Sequence, residues 1–477
     1  MRVVIVGNGM AGARLAQELR ARDADLPITV IGAESGGTYN RVLLSHVLAG
    51  TTCAEDIALT SLDWYARHGI TLHAGVRAVV VDRDASSVRT DDGRDVRFDV
   101  LVLATGSIAV VPDIAGLRDV DGTLRAGVTV FRTLDDCAAI LDHARTARRV
   151  AVVGGGLLGL EAARGLAARG LPVTLLHVRA HLMERQLDAG AGRVLRRTLR
   201  ELGVDVITNA RTAAVHEGRL RLDDGRQVDA DLVVIACGVR PDVDLARDAG
   251  LAVEHGIVID DRLRSVSDER IYAIGECAQH DGQVYGLVAP AWEQARVLAD
   301  VLTGRTATYG GTRTVTRLKA AGVELAAMGE THLDESDETE LVTFVDASRG
   351  TYQKLVLRDG RIVGAILLGD TRSAGTVTQL FDRGTAAPHD RATLLLGSAR
   401  SAEAETPTRI PDRANVCQCN GVTKAAIRQA WQSGARTVAD VAARTHATTG
   451  CGTCRDAVCG LLDWLAAADP EPALEAS

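Results

Sequence analysis

The sequence predicts an α/β chain carrying two Rossmann-like nucleotide-binding domains, then a small α+β domain, then a small helical module. Three observations predict it. Two strand–glycine-loop–helix units begin 147 residues apart, at Gly7 and Gly154. Short alternating strands replace them from about 312 to 395, and five of the nine cysteines crowd into residues 417–459.

The first unit reads RVVIVGNGMAGARLAQEL. An apolar run, Val3 to Val6, is followed by Gly7-x-Gly9-x-x-Gly12 and an amphipathic helical pattern. One glycine makes the tight turn, one lets backbone approach a pyrophosphate, and one lets the helix pack on the strand. The helix N-terminus offers the phosphates free N–H groups and a positive dipole end. A second strand, PITVIG, ends near Glu34, where a carboxylate can accept hydrogen bonds from ribose hydroxyls. The second unit, RRVAVVGGGLLGLEAARGLAARG, repeats this with Gly154-x-Gly156-x-x-Gly159 and the following strand LPVTLLH. Two units imply two dinucleotides. DVLVLATGS (99–107) and ADLVVIACGVRPD (230–242) place a buried strand and a small-residue turn after each unit, as an internal duplication does. DERIYAIGECAQHDG then delivers Gly275-Glu276 into a loop.

The order of these segments, over residues 1 to about 310, resembles the two-dinucleotide flavoprotein family. The resemblance implies FAD at the first unit, against Gly7, Gly9, Met10, Ala11, Gly12, Glu34, Arg41, Ser45, Thr105, Gly106, Gly275 and Glu276. It implies NADH or NADPH at the second, against Gly154, Gly156, Leu157, Leu158, Gly159, Glu161, Arg179 and Gly238. The disulfide reductases of that family carry a redox Cys-x4-Cys after the second FAD strand, but here the place reads GGTYNRVLLSHVLAG. Residues 113–245 also lack the Cys-x-x-Cys of the thioredoxin-reductase type, so a dithiol mechanism is excluded. YNRVLLS resembles the Y-x-R-x-x-L-S element of flavin reductases that feed electrons to another centre, with Arg41 against the FAD. HLMERQLD (181–188) and YGLVAPAWEQARVLA (285–299) resemble one branch, the FAD-containing part of NAD(P)H nitrite reductase large subunits and the electron-transfer subunit of assimilatory nitrate reductase. At the end of the second strand of the nicotinamide unit stands His177 rather than the acid usual for NAD. Arg179 is placed to pair with a 2′-phosphate, while the family favours NADH.

The expected division is 1–112 plus 246–310 for FAD, 113–245 for the nicotinamide nucleotide and 311–396 for an interface domain. In the relatives this third domain covers the flavin and often dimerises the protein. RDGR (358–361) marks a type I′ hairpin within it. The polar stretch 397–413 reads as a linker, 414–466 as the cysteine module and 467–477 as a tail. In the module Thr423 caps a helix carrying Ala426, Ile427, Ala430 and Trp431, which Gly434 ends; TVADVAART and CGTCRDAVCGLLDWL supply two more.

Net charge is −8, which argues against nucleic-acid or anionic-membrane binding. No run reaches the ~18–20 apolar residues that cross a bilayer, and the N-terminus enters a strand pattern without a charged leader. A cytoplasmic protein is expected. In a reducing compartment paired cysteines point to metal or redox chemistry rather than disulfides. The four scattered cysteines, 53, 137, 237 and 277, read as small buried hydrophobes, as does Cys459. Cys417-x-Cys419 and Cys451-x-x-Cys454 supply four thiolates. Zinc prefers wider first knuckles, and [2Fe–2S] clusters also take four thiolates. The module resembles the [2Fe–2S] domain of bacterioferritin-associated ferredoxin, which implies Cys417, Cys419, Cys451 and Cys454 as cluster ligands. The resulting expectation is an FAD-dependent NAD(P)H oxidoreductase with no catalytic acid, base or nucleophile. It relays electrons through FAD and the cluster to a separate enzyme, a molybdenum nitrate reductase first and a sirohaem nitrite reductase second. The other reading is a ferredoxin- or rubredoxin-type reductase with a fused zinc module. A homodimer is possible on the family pattern.

Overall fold

Five parallel strands form the first sheet, in the order Ile271–Ala273, Val100–Leu103, Val3–Val6, Ile28–Gly32, Thr71–Ala74. All four residues of Val3–Val6 and of Val100–Leu103 are buried, as strands covered on both faces must be. The second sheet repeats this order with Val128–Val130, Leu232–Ile235, Val150–Val153, Val173–Leu176 and Val204–Ile207. Each sheet carries its own three-stranded antiparallel meander, spanning residues 78–97 and 212–229. The duplication therefore extends to four strands and the meander of each unit; the edge strands differ, since Ile271–Ala273 follows the second unit while Val128–Val130 precedes its own glycine loop. The computed structural model describes residues 1–216, 218–320, 322–396, 411–417, 420–450 and 454–468.

The two units are tied by a short antiparallel pair, Ser107–Ala109 with Val239–Pro241. The helix Leu44–Ala49 of the first unit shares the apolar core of the second sheet through Leu44, Val47 and Leu48. Arg169 fixes that contact by donating to the carbonyls of Leu48 at 2.5 Å and Val47 at 3.3 Å.

The third layer is a five-stranded antiparallel sheet over residues 315–368 with the helix Ala374–Arg383 against it. Its Arg358–Arg361 hairpin has φ of 51° at Asp359 and 69° at Gly360, the two positive values that a type I′ turn needs. Lys354 of this sheet is buried and reaches Asp188 Oδ2 at 3.2 Å and the carbonyls of Thr331 and Leu333. Asp188, half-buried, in turn caps the helix Ala189–Glu201 through the Ala191 N–H, so the Lys354–Asp188 ion pair pins the third layer to the second unit.

The C-terminal module is a hairpin, Asn415–Cys417 with Val422–Thr423, and three helices, Lys424–Gln432, Val438–Thr445 and Arg455–Ala468. Thr423 caps the first by accepting from the Ala426 N–H, and Gly434, with φ of 92°, follows its end. Most of the expected linker (397–410), most of the tail (469–477), Cys419 and Cys451 lie outside the described residues. Among the described residues no helix is long and apolar enough to cross a membrane.

Three expectations about single cysteines need correction. Cys137 and Cys277 are buried, but Cys53 and Cys237 are exposed; Cys237 sits in a small-residue turn that opens onto a cavity. Cys459, on the helix Arg455–Ala468, is half-buried.

Candidate nucleotide and cluster sites

Both glycine loops open into one cavity of about 1140 Å³, which Arg317 of the third layer also lines. Gly7 has φ of +114° and Gly154 +120°. A Cβ on either would stand 2.1 Å from a backbone carbonyl oxygen, of Ala104 or Ala236. Only glycine fits there. Gly12 and Gly159 serve the helix–strand approach, since a Cβ would lie 1.9 and 1.8 Å from the carbonyl oxygens of Gly7 and Gly154. Gly9 and Gly156 differ: nothing lies within 4 Å of the Cβ position. Each is the N-cap of its helix, and neither helix receives a side-chain cap. Open space before uncapped N–H groups is what a pyrophosphate requires, so both cradles fit a dinucleotide.

At the first cradle the cavity wall includes Met10, Ala11, Glu34, Arg41, Thr105, Gly106, Gly275 and Glu276. Glu34 pairs with Arg41 and accepts from the Tyr39 hydroxyl at 2.7 Å. The Arg41 guanidinium lies 5.2 Å from the centre of the Tyr39 ring. Glu276 pairs with Arg132 and accepts from Ser107 Oγ at 2.6 Å. Arg132 escaped the sequence reading, because its partner stands 144 residues away and nothing near it is patterned. Gly12 and Ser45 lie behind the wall, Ser45 buried.

At the second cradle Gly154, Gly156, Leu157, Leu158, Glu161 and Gly238 line the wall. His177 is buried and accepts the Gly155 N–H at Nδ1, 3.1 Å away. Its Nε2 therefore carries the proton and donates to Glu184 at 3.0 Å. Burial holds its pKa below the usual imidazole value. Arg179 is exposed and outside the wall, where Glu184, Arg185 and Arg211 are found instead. Gly159, like Gly12, lies behind it.

Glu161 is half-buried, and burial pushes its carboxyl up to about 7 against an opposing hydrogen bond from Ser45. The folded protein thus keeps a proton that the unfolded chain releases near 4.5. Stability contributed here falls as pH rises from about 4.5 to about 7. Glu161→Gln is expected to remove this slope. Between pH 5 and 8 the wild type should lose a few degrees of Tm relative to the variant, on the order of 1–2 kcal/mol. Parallel Tm profiles of the two proteins would contradict the assignment.

The C-terminal module sits directly on the first unit. Its core, which includes Cys417 (0% exposed) and Cys454 (5%), is continuous with Met10 and Trp292. Met10 also lines the cavity, and Trp292 Nε1 donates to its carbonyl at 3.0 Å. Asn40, from the YNRVLLS segment, donates to the carbonyls of Thr449 at 2.8 Å and Gly450 at 2.5 Å. Cys451, the next residue in the chain, lies outside the described residues. Cys417 and Cys454 thus share one apolar core next to the cavity, and the Asn420 amide aims an N–H at Cys417 Sγ from 3.6 Å. A donor directed at a buried sulfur suits a thiolate ligand, so the described half of the ligand set fits a cluster.

The model of the pyridine nucleotide-disulphide oxidoreductase family matches residues 1–295, that of the rubredoxin NAD+ reductase C-terminal domain residues 315–385, and that of the BFD-like [2Fe-2S] binding domain residues 415–464. The chain is 39% identical over 465 residues to a nitrite reductase [NAD(P)H] of Bacillus subtilis (strain 168), covering 96% of this chain and 56% of that one. It is 37% identical over 475 residues to the assimilatory nitrate reductase electron transfer subunit of the same organism, covering 97% and 60%. The chain therefore spans well under two thirds of either relative. Among solved structures, the covalent putidaredoxin reductase–putidaredoxin complex superposes with a TM-score of 0.72 at 27% identity, covering 80% of this chain and 93% of that one. The cysteine module is thus similar to a [2Fe–2S] binding domain.

Proposed function

The chain belongs to the pyridine nucleotide-disulphide oxidoreductase family and is an FAD-dependent NAD(P)H oxidoreductase with a [2Fe–2S] cluster; from that premise we propose that it is the electron-supplying part of a nitrate-assimilating enzyme, acting in the cytoplasm on a molybdenum nitrate reductase. In this reading residues 1–112 and 246–310 hold FAD, 113–245 the nicotinamide nucleotide, and 414–466 the cluster through Cys417, Cys419, Cys451 and Cys454. Residues 311–396 contribute Arg317 to the cavity wall. When bound, FAD accepts two electrons together and releases them singly, which suits a one-electron cluster.

The side chains bind and orient rather than react. The two uncapped helix ends receive pyrophosphates, and the Arg132–Glu276 pair fixes the loop carrying Gly275 against the cavity. Glu161 presents a carboxyl that is partly protonated near neutrality at the nicotinamide end. Cys237 is the one cysteine of the wall among the described residues, which supports a mechanism without a dithiol. The observation that carries the reading is the shared core of the cluster module with Met10 and Trp292, which places an electron outlet beside the cavity.

A sirohaem nitrite reductase as acceptor is the second reading, favoured by the relative at 39% identity. Reconstitution separates them. The full chain mixed with a molybdenum nitrate reductase catalytic subunit should give nitrate-dependent oxidation of NAD(P)H. Nitrite-dependent oxidation with a sirohaem enzyme alone would favour the second reading, and neither would sink both.

A further inference from the structure

Asn420 stands where the cluster module meets the first nucleotide unit, and it is 6% exposed. Its Oδ1 accepts from Arg14 Nη1 at 3.2 Å, and its backbone carbonyl accepts from Arg296 Nη1 at 3.1 Å. Arg14 and Arg296 belong to the first unit, on the helices Met10–Arg22 and Val288–Leu302. On the other side, Asn420 Nδ2 faces Cys417 Sγ at 3.6 Å and donates to the His446 carbonyl. The orientation of the amide is fixed by chemistry. A guanidinium only donates and a backbone carbonyl only accepts, so the amide oxygen must face Arg14 and the N–H groups must face His446 and the sulfur.

Arg14 is itself held in place. It is 7% exposed, pairs with Glu18 at 2.7 Å, and its guanidinium lies 5.5 Å from the Trp292 ring centre. An N–H directed at a ligand sulfur draws charge from it and favours the reduced, more negative state of a cluster. A cation on the amide oxygen polarises the same N–H and strengthens that effect. The module is also gripped at Thr449 and Gly450, whose carbonyls accept from Asn40 (1% exposed).

We propose that Asn420 is a positioning residue that couples the seating of the cluster module to the reduction potential of its cluster. Seated, the amide is polarised by Arg14 and the cluster is easier to reduce. Unseated, or without Arg14, the same sulfur keeps a weaker donor and the cluster becomes a poorer acceptor. The inference rests on the assignment of Cys417 as a ligand.

The test is an EPR-monitored potentiometric titration of the full chain, as wild type, Asn420→Ala and Arg14→Met. Asn420→Ala is expected to lower the cluster midpoint by about tenfold in the reduction equilibrium, about 59 mV for one electron. Arg14→Met touches no ligand and should shift the midpoint in the same direction by less, with faster amide exchange in the helix Lys424–Gln432. It carries the test alone if Asn420→Ala assembles no cluster. An intact cluster with an unchanged midpoint in Arg14→Met overturns the coupling. Failure of the underlying assignment looks different: Cys417→Ser would then retain a wild-type cluster.

Discussion

Replacing Gly9 by Glu is expected to give a folded protein that purifies without FAD, whereas Gly156→Glu keeps FAD and fails to be reduced by NAD(P)H. Both positions have open space beyond their Cα, so neither side chain meets protein. Each would instead fill the space before an uncapped helix end and put a carboxylate where a pyrophosphate belongs. Loss of the phosphate contacts with like-charge repulsion should weaken the nucleotide by roughly 100-fold or more, about 3 kcal/mol. Gly7→Ala is the contrasting control. Its Cβ meets the Ala104 carbonyl at 2.1 Å from a residue at φ +114°, so that variant should lose soluble protein rather than cofactor alone. Flavin absorbance of the purified variants, with anaerobic bleaching by NADH and NADPH, reads out all three. FAD retained in Gly9→Glu would show that the first loop is not its cradle.

Cys417→Ser or Cys454→Ser should leave the flavin and its reduction by NAD(P)H intact while removing the cluster absorbance. Reduction of one-electron acceptors that depend on the cluster should fall more than ~10-fold, since loss of a ligand exceeds the 10–100-fold effect typical of losing its supporting partner. Both sulfurs lie in an apolar core that also contains Met10 and Trp292. A hydroxyl there is a poor ligand and costs about 1–3 kcal/mol if left without a hydrogen bond. Cluster content by iron analysis, beside flavin content, separates ligand loss from unfolding. Equal loss of both cofactors would contradict the separation of roles.

The features legible in the sequence were those whose cause is local. Glycine spacing after a strand follows from turn geometry and helix packing, and it placed Gly7, Gly12, Gly154 and Gly159 where a Cβ has no room. Asp359-Gly360 formed its hairpin and Thr423 its cap for equally local reasons. Long-range pairs left no such trace. Arg132–Glu276, Lys354–Asp188, Asn40–Gly450 and Arg14–Asn420 span 144, 166, 410 and 406 residues. Each is visible only once two sheets and the module are packed. His177 shows the limit at closer range. Its position promised a specificity residue, with Arg179 beside it, but the imidazole turned inward to the Gly155 N–H and Glu184. Arg179 was left exposed, and the wall acquired Glu184, Arg185 and Arg211.

The relay is tested most directly by anaerobic titration of the full chain with NADH, and separately with NADPH, followed by visible absorbance and EPR. The account predicts that at least one nucleotide bleaches the flavin and that the EPR signal of a reduced [2Fe–2S] cluster then appears, without any added mediator. A bleached flavin beside a cluster that stays oxidised, yet is reduced by dithionite, would contradict it.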